Sequence, residues 1–254
     1  MDAVNDRTIR DAGTPDAQWL PWLAQLGVKA LALDDLFPPA ASAPRLVVVA
    51  PHPDDEILAC GGLLAACVRQ QVPALVIAVT DGEASHGGSE GKTLARLGAQ
   101  RAEESHAGLL RLGVKPASVV RLCLPDGKVA SCLAYLAAQL RRLLLPGDVV
   151  VTTWRLDGHP DHESTGAAVA QACFSAGCRL LQAPVWMWHW ARPGDTRVPW
   201  ARLLAFDIPE ELLALKQQAL RSHQSQLRDR EGLGPVLVAS IVERAARRHE
   251  YFFV

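Results

Sequence analysis

The string Pro51-His52-Pro53-Asp54-Asp55-Glu56 puts one imidazole and two adjacent aspartates directly behind the apolar run Leu46-Val47-Val48-Val49-Ala50. A second run, Val149-Val150-Val151-Thr152-Thr153, leads into Asp157-Gly158-His159-Pro160-Asp161-His162. Histidine and carboxylate are the ligand types of a hydrolytic zinc site, which uses three protein ligands and leaves a position for water. His52, Asp55 and His162 can supply that set, with Pro53 stiffening the turn between the first two. Asp54 is then left over beside a ligand, where a general base for water attack belongs. His159 is read as the general acid or oxyanion stabiliser and Asp161 as the carboxylate that orients its ring. Gly158 would let the backbone approach a substrate, and Gly61 and Gly62 would let the helix after the first motif pack closely.

Each string taken alone has a plainer explanation. Asp54 or Asp55 could cap a helix with Glu56 in its first turn, and Asp161 with Glu163 could do the same. Capping alone does not explain two His-Pro-Asp clusters that both follow buried strands. A hydrolytic metal centre does.

The elements that must position these residues alternate regularly. Strands are expected at Leu46 to Ala50, Ala74 to Thr80, Val119 to Leu122 and Val149 to Thr153. Helices are expected at Leu58 to Gln70, Lys92 to Leu112, Val129 to Leu145 and Ser164 to Ala176. Continuous rather than alternating β-branched runs, separated by helices, predict an α/β fold with a mostly parallel sheet covered on both faces. Ligands in such folds bind beyond the carboxyl ends of the strands, where both motifs lie. Further on, Val185 to Trp190 alternates like a half-exposed strand, Leu203 to Ile208 reads as a strand, and Pro209 to Gln226 as an amphipathic helix. Val236 to Val238 is expected as strand or loop, followed by a helix over Ile241 to Arg248. Before the sheet, helical spacing runs from Asp16 to Leu36 with Trp19 and Trp22 as packing anchors, and Phe37 to Pro44 reads as a linker. The expected organisation is therefore an N-terminal helical extension and linker, 1–44, and one catalytic domain, 45–254.

The 254 residues suit one sizeable domain; 26 basic against 27 acidic residues give a formal net charge of −1 and no broad surface for nucleic acid. Residues 1–13 carry five charges and no apolar run, unlike a signal peptide, and no segment reaches the roughly 20 apolar residues of a membrane span. The six cysteines lack metal or disulfide spacing. A cytoplasmic protein is the expectation.

The two motifs, Ala50 to Glu56 and Asp157 to His162, resemble the signatures of the PIG-L, or LmbE-like, family of zinc-dependent N-acetylglucosaminyl deacetylases. The likeness continues through Arg101-Ala102-Glu103-Glu104, Leu124-Pro125-Asp126-Gly127 and Lys216 to Gln226. It implies a Rossmann-like fold, one Zn2+ per chain on His52, Asp55 and His162, Asp54 as base and His159 as acid or oxyanion stabiliser. It further implies that Arg101 and Asp126 hold the substrate, a small N-acetyl sugar or glycoconjugate. Read as residues alone, Arg101 is a helix charge within reach of Glu104 and Asp126 a turn residue. Some thiol-biosynthesis members carry tyrosine where this chain has Asp157, so that substrate is not inferred.

Alternatives remain at this point. The same site would serve another amide or an ester, and a His2Asp set also accepts other divalent metals. A non-catalytic sugar- or nucleotide-binding module is the rival from another class, although no GxGxxG follows the first strand. His86, in the glycine-rich segment Ala84 to Gly88, is expected in a mobile loop that could close over the cleft. His189 could rim the cleft, and His223 with Gln226 is expected to brace the late helix.

Overall fold

Five consecutive residues with no polar side chain are buried on both faces of a sheet, and that fixes the centre of this molecule. In the computed structural model, which describes residues 7–9, 13–37, 45–87, 91–230 and 232–254, every residue of Leu46–Ala50 and Val149–Thr153 is buried. The elements in chain order are α1 (Asp16–Leu26), β1 (Lys29–Ala30), α2 (Leu33–Leu36), β2 (Leu46–Ala50), α3 (Asp55–Arg69), β3 (Ala74–Thr80), α4 (Gly91–Arg111), β4 (Val119–Leu124), α5 (Leu133–Leu143), β5 (Val149–Thr153) and α6 (Pro160–Ala176). They continue as β6 (Arg179–Ala183), α7 (Met187–Trp190), β7 (Leu203–Asp207), α8 (Glu210–Leu220), α9 (Gln224–Leu227), α10 (Ala239–Ala245) and β8 (His249–Phe253).

The strands form one sheet in the order β1-β7-β8-β6-β5-β2-β3-β4. All pairings are parallel except those of β8, which runs antiparallel to β6 and β7. Side chains alternate between faces along each strand. Leu46, Val48, Val149 and Val151 join one core cluster with α3 and α8, while Val47, Val49 and Val150 join another with α5 and α6. β3 and β4 lie beyond β2, whereas β6 lies beyond β5, so the strand order reverses between β2 and β5. Their register pairs Val49 with Thr152, so both chains leave the sheet at the same level. The two motifs therefore emerge side by side at the crevice where open α/β sheets bind ligands.

Several segments differ from the sequence expectation for identifiable reasons. The helix expected over Asp16 to Leu36 stops at Gly27, whose φ of 64° ends it in the left-handed conformation. Lys29–Ala30 then pairs with β7 at the sheet edge, and only a short second helix follows. Trp19 is fully buried, packs edge-on against Trp188 at 5.0 Å and donates its indole N–H to the Trp188 carbonyl at 2.9 Å. The linker expected at Phe37 to Pro44 lies, beyond Phe37, outside the described residues. Val185 to Trp190 is not a strand: Met187–Trp190 forms a helical turn. The helix expected over Pro209 to Gln226 is broken after Leu220 into α8 and α9, while Val236 to Val238, expected as strand or loop, is a loop.

α3 is kinked at Cys60, which has φ −152° and ψ 25°. The backbone groups freed there are satisfied by a buried ion pair. Glu250 accepts the N–H groups of Gly62 and Leu63 at 2.7 and 2.8 Å, while Lys216 donates to Glu250 at 2.7 Å and to the Leu58 carbonyl at 3.3 Å. A β-carbon on Gly62 would come within 2.8 Å of Ile208, so the glycine permits the close packing that its sequence position suggests. Among the described residues, no helix is long and apolar enough to cross a membrane.

Candidate active site

The first motif turns from β2 into α3 within four residues. Thr80 holds the turn by donating its N–H and hydroxyl to the Pro51 carbonyl at 3.1 and 2.8 Å. Asp54, at the N-cap position of α3, does not cap it. Its φ of 130° is a strained conformation for a residue with a side chain, and its carboxylate makes no capping bond. The carboxylate is aimed instead at Arg101, with Nη2 3.1 Å from Oδ2. Asp54 is anchored by its own N–H, which donates to Glu56 Oε2 at 3.0 Å; Glu56 in turn accepts from Ser105 at 2.6 Å. Asp54 and Glu56 are thus accounted for without the capping explanation.

Asp55 opens α3 and carries its carboxylate to the meeting point of the two strand ends. Its Oδ2 accepts the His52 N–H at 3.0 Å and lies 3.2 Å from both His52 Nδ1 and His162 Nε2. The far nitrogen of His162 faces Asp157 at 2.8 Å. Asp157 is fully buried and also accepts the backbone N–H groups of Val185, Trp186 and Met187 at 2.9–3.0 Å. That single carboxylate explains why 185–190 turns into a helix rather than extending as a strand. It is also the residue whose role the sequence did not reveal. Its position four residues past the end of β5 and five before a candidate ligand is the one signal that could have marked it.

His159 is the N-cap of α6, its Nδ1 accepting the Asp161 N–H at 3.3 Å. The ring centroids of His52, His159 and His162 lie 4.9–5.3 Å apart. Asp161 does not hold the His159 ring with its carboxylate, contrary to expectation. Its Oδ2 sits 3.3 Å from His52 Nε2 and accepts the Gly127 N–H at 2.7 Å, while Oδ1 accepts that of Val129 at 3.1 Å. The reason is geometric: as the second residue of α6, Asp161 points back towards the loop after β4, away from its neighbour's ring. Asp126 joins it there, 3.2 Å from His52 Nε2, and accepts the Ala84 N–H at 2.9 Å.

Arg101, expected on a substrate, is buried and donates to the carbonyls of Gly82 and Pro53 at 2.7 and 2.8 Å as well as to Asp54. The space expected for substrate at Gly158 is filled by the protein, since a β-carbon there would meet the Arg7 carbonyl at 2.5 Å and Trp190 Nε1 at 2.8 Å. His189 is buried beneath residues 13 and 14 and does not line the cleft. His86 is tied to the Ser225 carbonyl at 3.0 Å, while Ala84 and Ser85 line the cleft; Gly88, the end of that expected loop, lies outside the described residues. Gln226 also lines the cleft, and His223 is fully buried.

Together these groups surround a cavity of about 330 Å³. Its lining combines polar residues of both motifs, Arg101 and Asp126 with the apolar Leu58, Val185, Trp186, Leu237 and Ile241. Burial drives the Asp54 carboxyl up to about 7 against the pull of Arg101, with Asp55 and Glu56 adding to the rise. Asp55 moves the opposite way: burial opposes its charge, but His162 and His52 outweigh it and hold the carboxyl far below its usual range. For His162, burial is overcome by Asp55 and Asp157, which raise the ring to about 9. His159 is pushed down to about 3 by burial and by the neighbouring His162 and His52. Adjacent aspartates in one loop are therefore split into a charged group and one poised near neutrality, the pattern that separates charge-holding from proton-transferring carboxylates.

A metal fits this set of donors. The ring nitrogens of His52, His159 and His162 converge within 4.8 Å, as do single donor atoms of His52, Asp126 and Asp161. Asp55 reaches both His52 and His162, and Asp157 fixes the ring of His162 as a second carboxylate behind a metal-binding histidine does.

Known structures share the architecture. The conserved protein TT1542 from Thermus thermophilus is 26% identical, with 83% of this chain and 94% of that one covered at a TM-score of 0.54. The N,N'-diacetylchitobiose deacetylase from Pyrococcus horikoshii is 20% identical, with 87% and 82% covered and a TM-score of 0.54. GalB, the 4-carboxy-2-hydroxymuconate hydratase from Pseudomonas putida, is 19% identical, with 80% and 83% covered and a TM-score of 0.50. A deacetylase and a hydratase on one fold show that the architecture alone does not choose the reaction. The family model described as PIG-L, GlcNAc-PI de-N-acetylase, matches residues 47–173, which span β2 to α6 and contain both motifs. This chain belongs to the PIG-L family.

Proposed function

We propose that this protein is a metal-dependent hydrolase that removes the acetyl group from an N-acetylated amino sugar or its conjugate. The observation that carries the reading is the division of labour between neighbours: Asp55 is committed to His52 and His162, whereas Asp54, pushed up to about 7 by burial, faces the cleft beside them. His52, Asp55 and His162 would hold the ion, which when bound supplies Lewis acidity to the acyl oxygen and to water.

The protein's own residues do the rest. Asp54 accepts the proton of the attacking water and returns it to the leaving nitrogen as the C–N bond breaks, giving acetate and a free amine. In the metal-free protein burial already lifts this carboxyl to about 7, a direction that favours return of the proton. Arg101 holds that carboxylate in place from behind. His159 is neutral, and because its Nδ1 accepts the Asp161 N–H, its proton sits on Nε2. It therefore serves the oxyanion as a hydrogen-bond donor, not as the imidazolium expected of an acid. Asp126 and Asp161 steer the His52 ring. The apolar lining with Trp186 suits a sugar face.

Acetate release by the metal-replete protein, measured over N-acetyl sugars, other acyl amides and simple esters, tests this. Turnover concentrated on N-acetyl amino sugars supports the proposal. Turnover confined to esters or to amides without a sugar replaces it with a general acyl hydrolase, and none at all favours a binding module.

A further inference from the structure

Aspartate is among the residues best suited to cap a helix, yet Asp54, at the N-cap position of α3, is kept from capping and takes a φ of 130° instead. Two side chains one turn apart on α4 hold it there, Arg101 and Ser105. Arg101 takes the carboxylate, 3.1 Å from Oδ2. Ser105 reaches the backbone through an intermediary. Its hydroxyl donates to Glu56 Oε1 at 2.6 Å, and Glu56 Oε2 accepts the Asp54 N–H at 3.0 Å. A helical serine commonly returns its hydroxyl to a carbonyl one turn back, whereas this one directs it to α3.

Both links are closed to water. Glu56 is 1% exposed and Ser105 8%, so a carboxylate oxygen that loses its donor finds no replacement in solvent. With Oε1 fixed by Ser105, Oε2 stays turned towards the Asp54 N–H, and the strained peptide keeps its acceptor. Without that anchor the local alternative is the ordinary N-cap conformation, in which the carboxylate turns to an N–H in the first turn of α3 and leaves the cleft. Neither Ser105 nor Glu56 lines the cleft. Their side-chain bonds run to each other and to Asp54, not to His52, Asp55 or His162. Ser105 borders a separate cavity of about 340 Å³ that Pro53 also lines, which leaves room for one more methyl group.

We propose that Ser105 is a positioning residue, which acts through Glu56 to hold the Asp54 backbone in the conformation that aims its carboxylate at the cleft. The catalytic half of this proposal rests on the reading of Asp54 as the base; the anchor itself does not. Ser105 then governs the rate of the chemical step without touching substrate or the residues that would hold the metal.

The test pairs kinetics with hydrogen exchange on the metal-replete full chain. With N-acetylglucosamine, or the acyl substrate that wild type turns over fastest, Ser105→Ala is expected to lower kcat at least about tenfold, the effect of one hydrogen bond to a charged group. KM and metal content are expected to stay as in wild type, because ground-state binding is untouched. Ser105→Thr, which keeps the hydroxyl, is expected to restore most of the rate. In an Asp54→Ala background Ser105→Ala is expected to cost nothing further. The Asp54 amide is expected to exchange faster in Ser105→Ala while the amides of Val47 to Val49 stay protected. An unchanged kcat, a loss that persists in full without Asp54, or deprotection that spreads equally to β2 overturns the positioning role. Turnover by Asp54→Ala equal to wild type overturns the base reading and the catalytic half with it. Faster exchange at Asp54 alone, in a protein that turns over no acyl substrate, upholds the anchor and overturns the deacetylase reading.

Discussion

Arg101 Nη2 stands 3.1 Å from Asp54 Oδ2, with both side chains almost closed to solvent. A residue expected to grip substrate is thereby placed behind the candidate base, where its cation opposes the rise that burial imposes on the carboxyl. Replacing Arg101 with glutamine removes that opposition, so the Asp54 carboxyl climbs above about 7. The acid limb of the kcat/KM pH profile is expected to move up by about one pH unit or more, with the rate at neutral pH falling and partly recovering in alkali. A limb that stays where it is would show that Arg101 does not act through Asp54.

The same shift has a consequence for stability. In the metal-free protein Asp54 goes from its ordinary 3.8 to about 7, so the unfolded chain releases this proton at lower pH than the folded one. Folding stability attributable to the group therefore falls as pH rises from about 4 to about 7, and is level above that. Asp54→Asn removes the titration. Urea denaturation across this range is expected to show the variant gaining on wild type up to about pH 7 and then running parallel; parallel curves throughout would contradict the raised carboxyl.

Asp157 ties His162 to the segment after β6. Asp157→Asn keeps the shape but weakens the charge behind the ring, and metal affinity, read by competition with a chelator, is expected to fall by about 10- to 100-fold. An unchanged affinity would limit Asp157 to organising residues 185–187.

The Lys216–Glu250 pair is buried on both sides and satisfies the kink in α3. Lys216→Met strands the Glu250 carboxylate and is expected to lower the unfolding free energy by about 3–5 kcal/mol in chemical denaturation. A loss of under about 1 kcal/mol would mean that water or a shifted helix replaces the ammonium.

The strand runs and both motifs were legible because each is a local signal: β-branched residues that only a two-sided core accommodates, followed at once by clustered ligand types. Asp54 stands out in the sequence as the carboxylate left over beside a candidate ligand, and the structure places it at the cleft, paired with Arg101. What escaped was set by contacts distant in sequence. Asp157, in the loop after the neighbouring strand β5, accepts the N–H groups that open the helical turn Met187–Trp190, whereas the local alternation of Val185 to Trp190 reads as a strand. The Arg101–Asp54 contact spans 47 positions and cannot be read from a helix pattern that also offers Glu104 as a partner. Asp161 and Asp126 meet at His52 because the loop after β4 folds over the β5 loop, a fact of topology.

Asp54 is proposed to transfer the proton in an amide hydrolysis supported by His52, Asp55 and His162. The most direct measurement is acetate release from an N-acetyl amino sugar by wild type and Asp54→Ala, each with its metal content determined. The expected result is near-equal metal occupancy with the rate reduced at least about a hundredfold in the variant. Comparable turnover in a metal-loaded Asp54→Ala protein would contradict it.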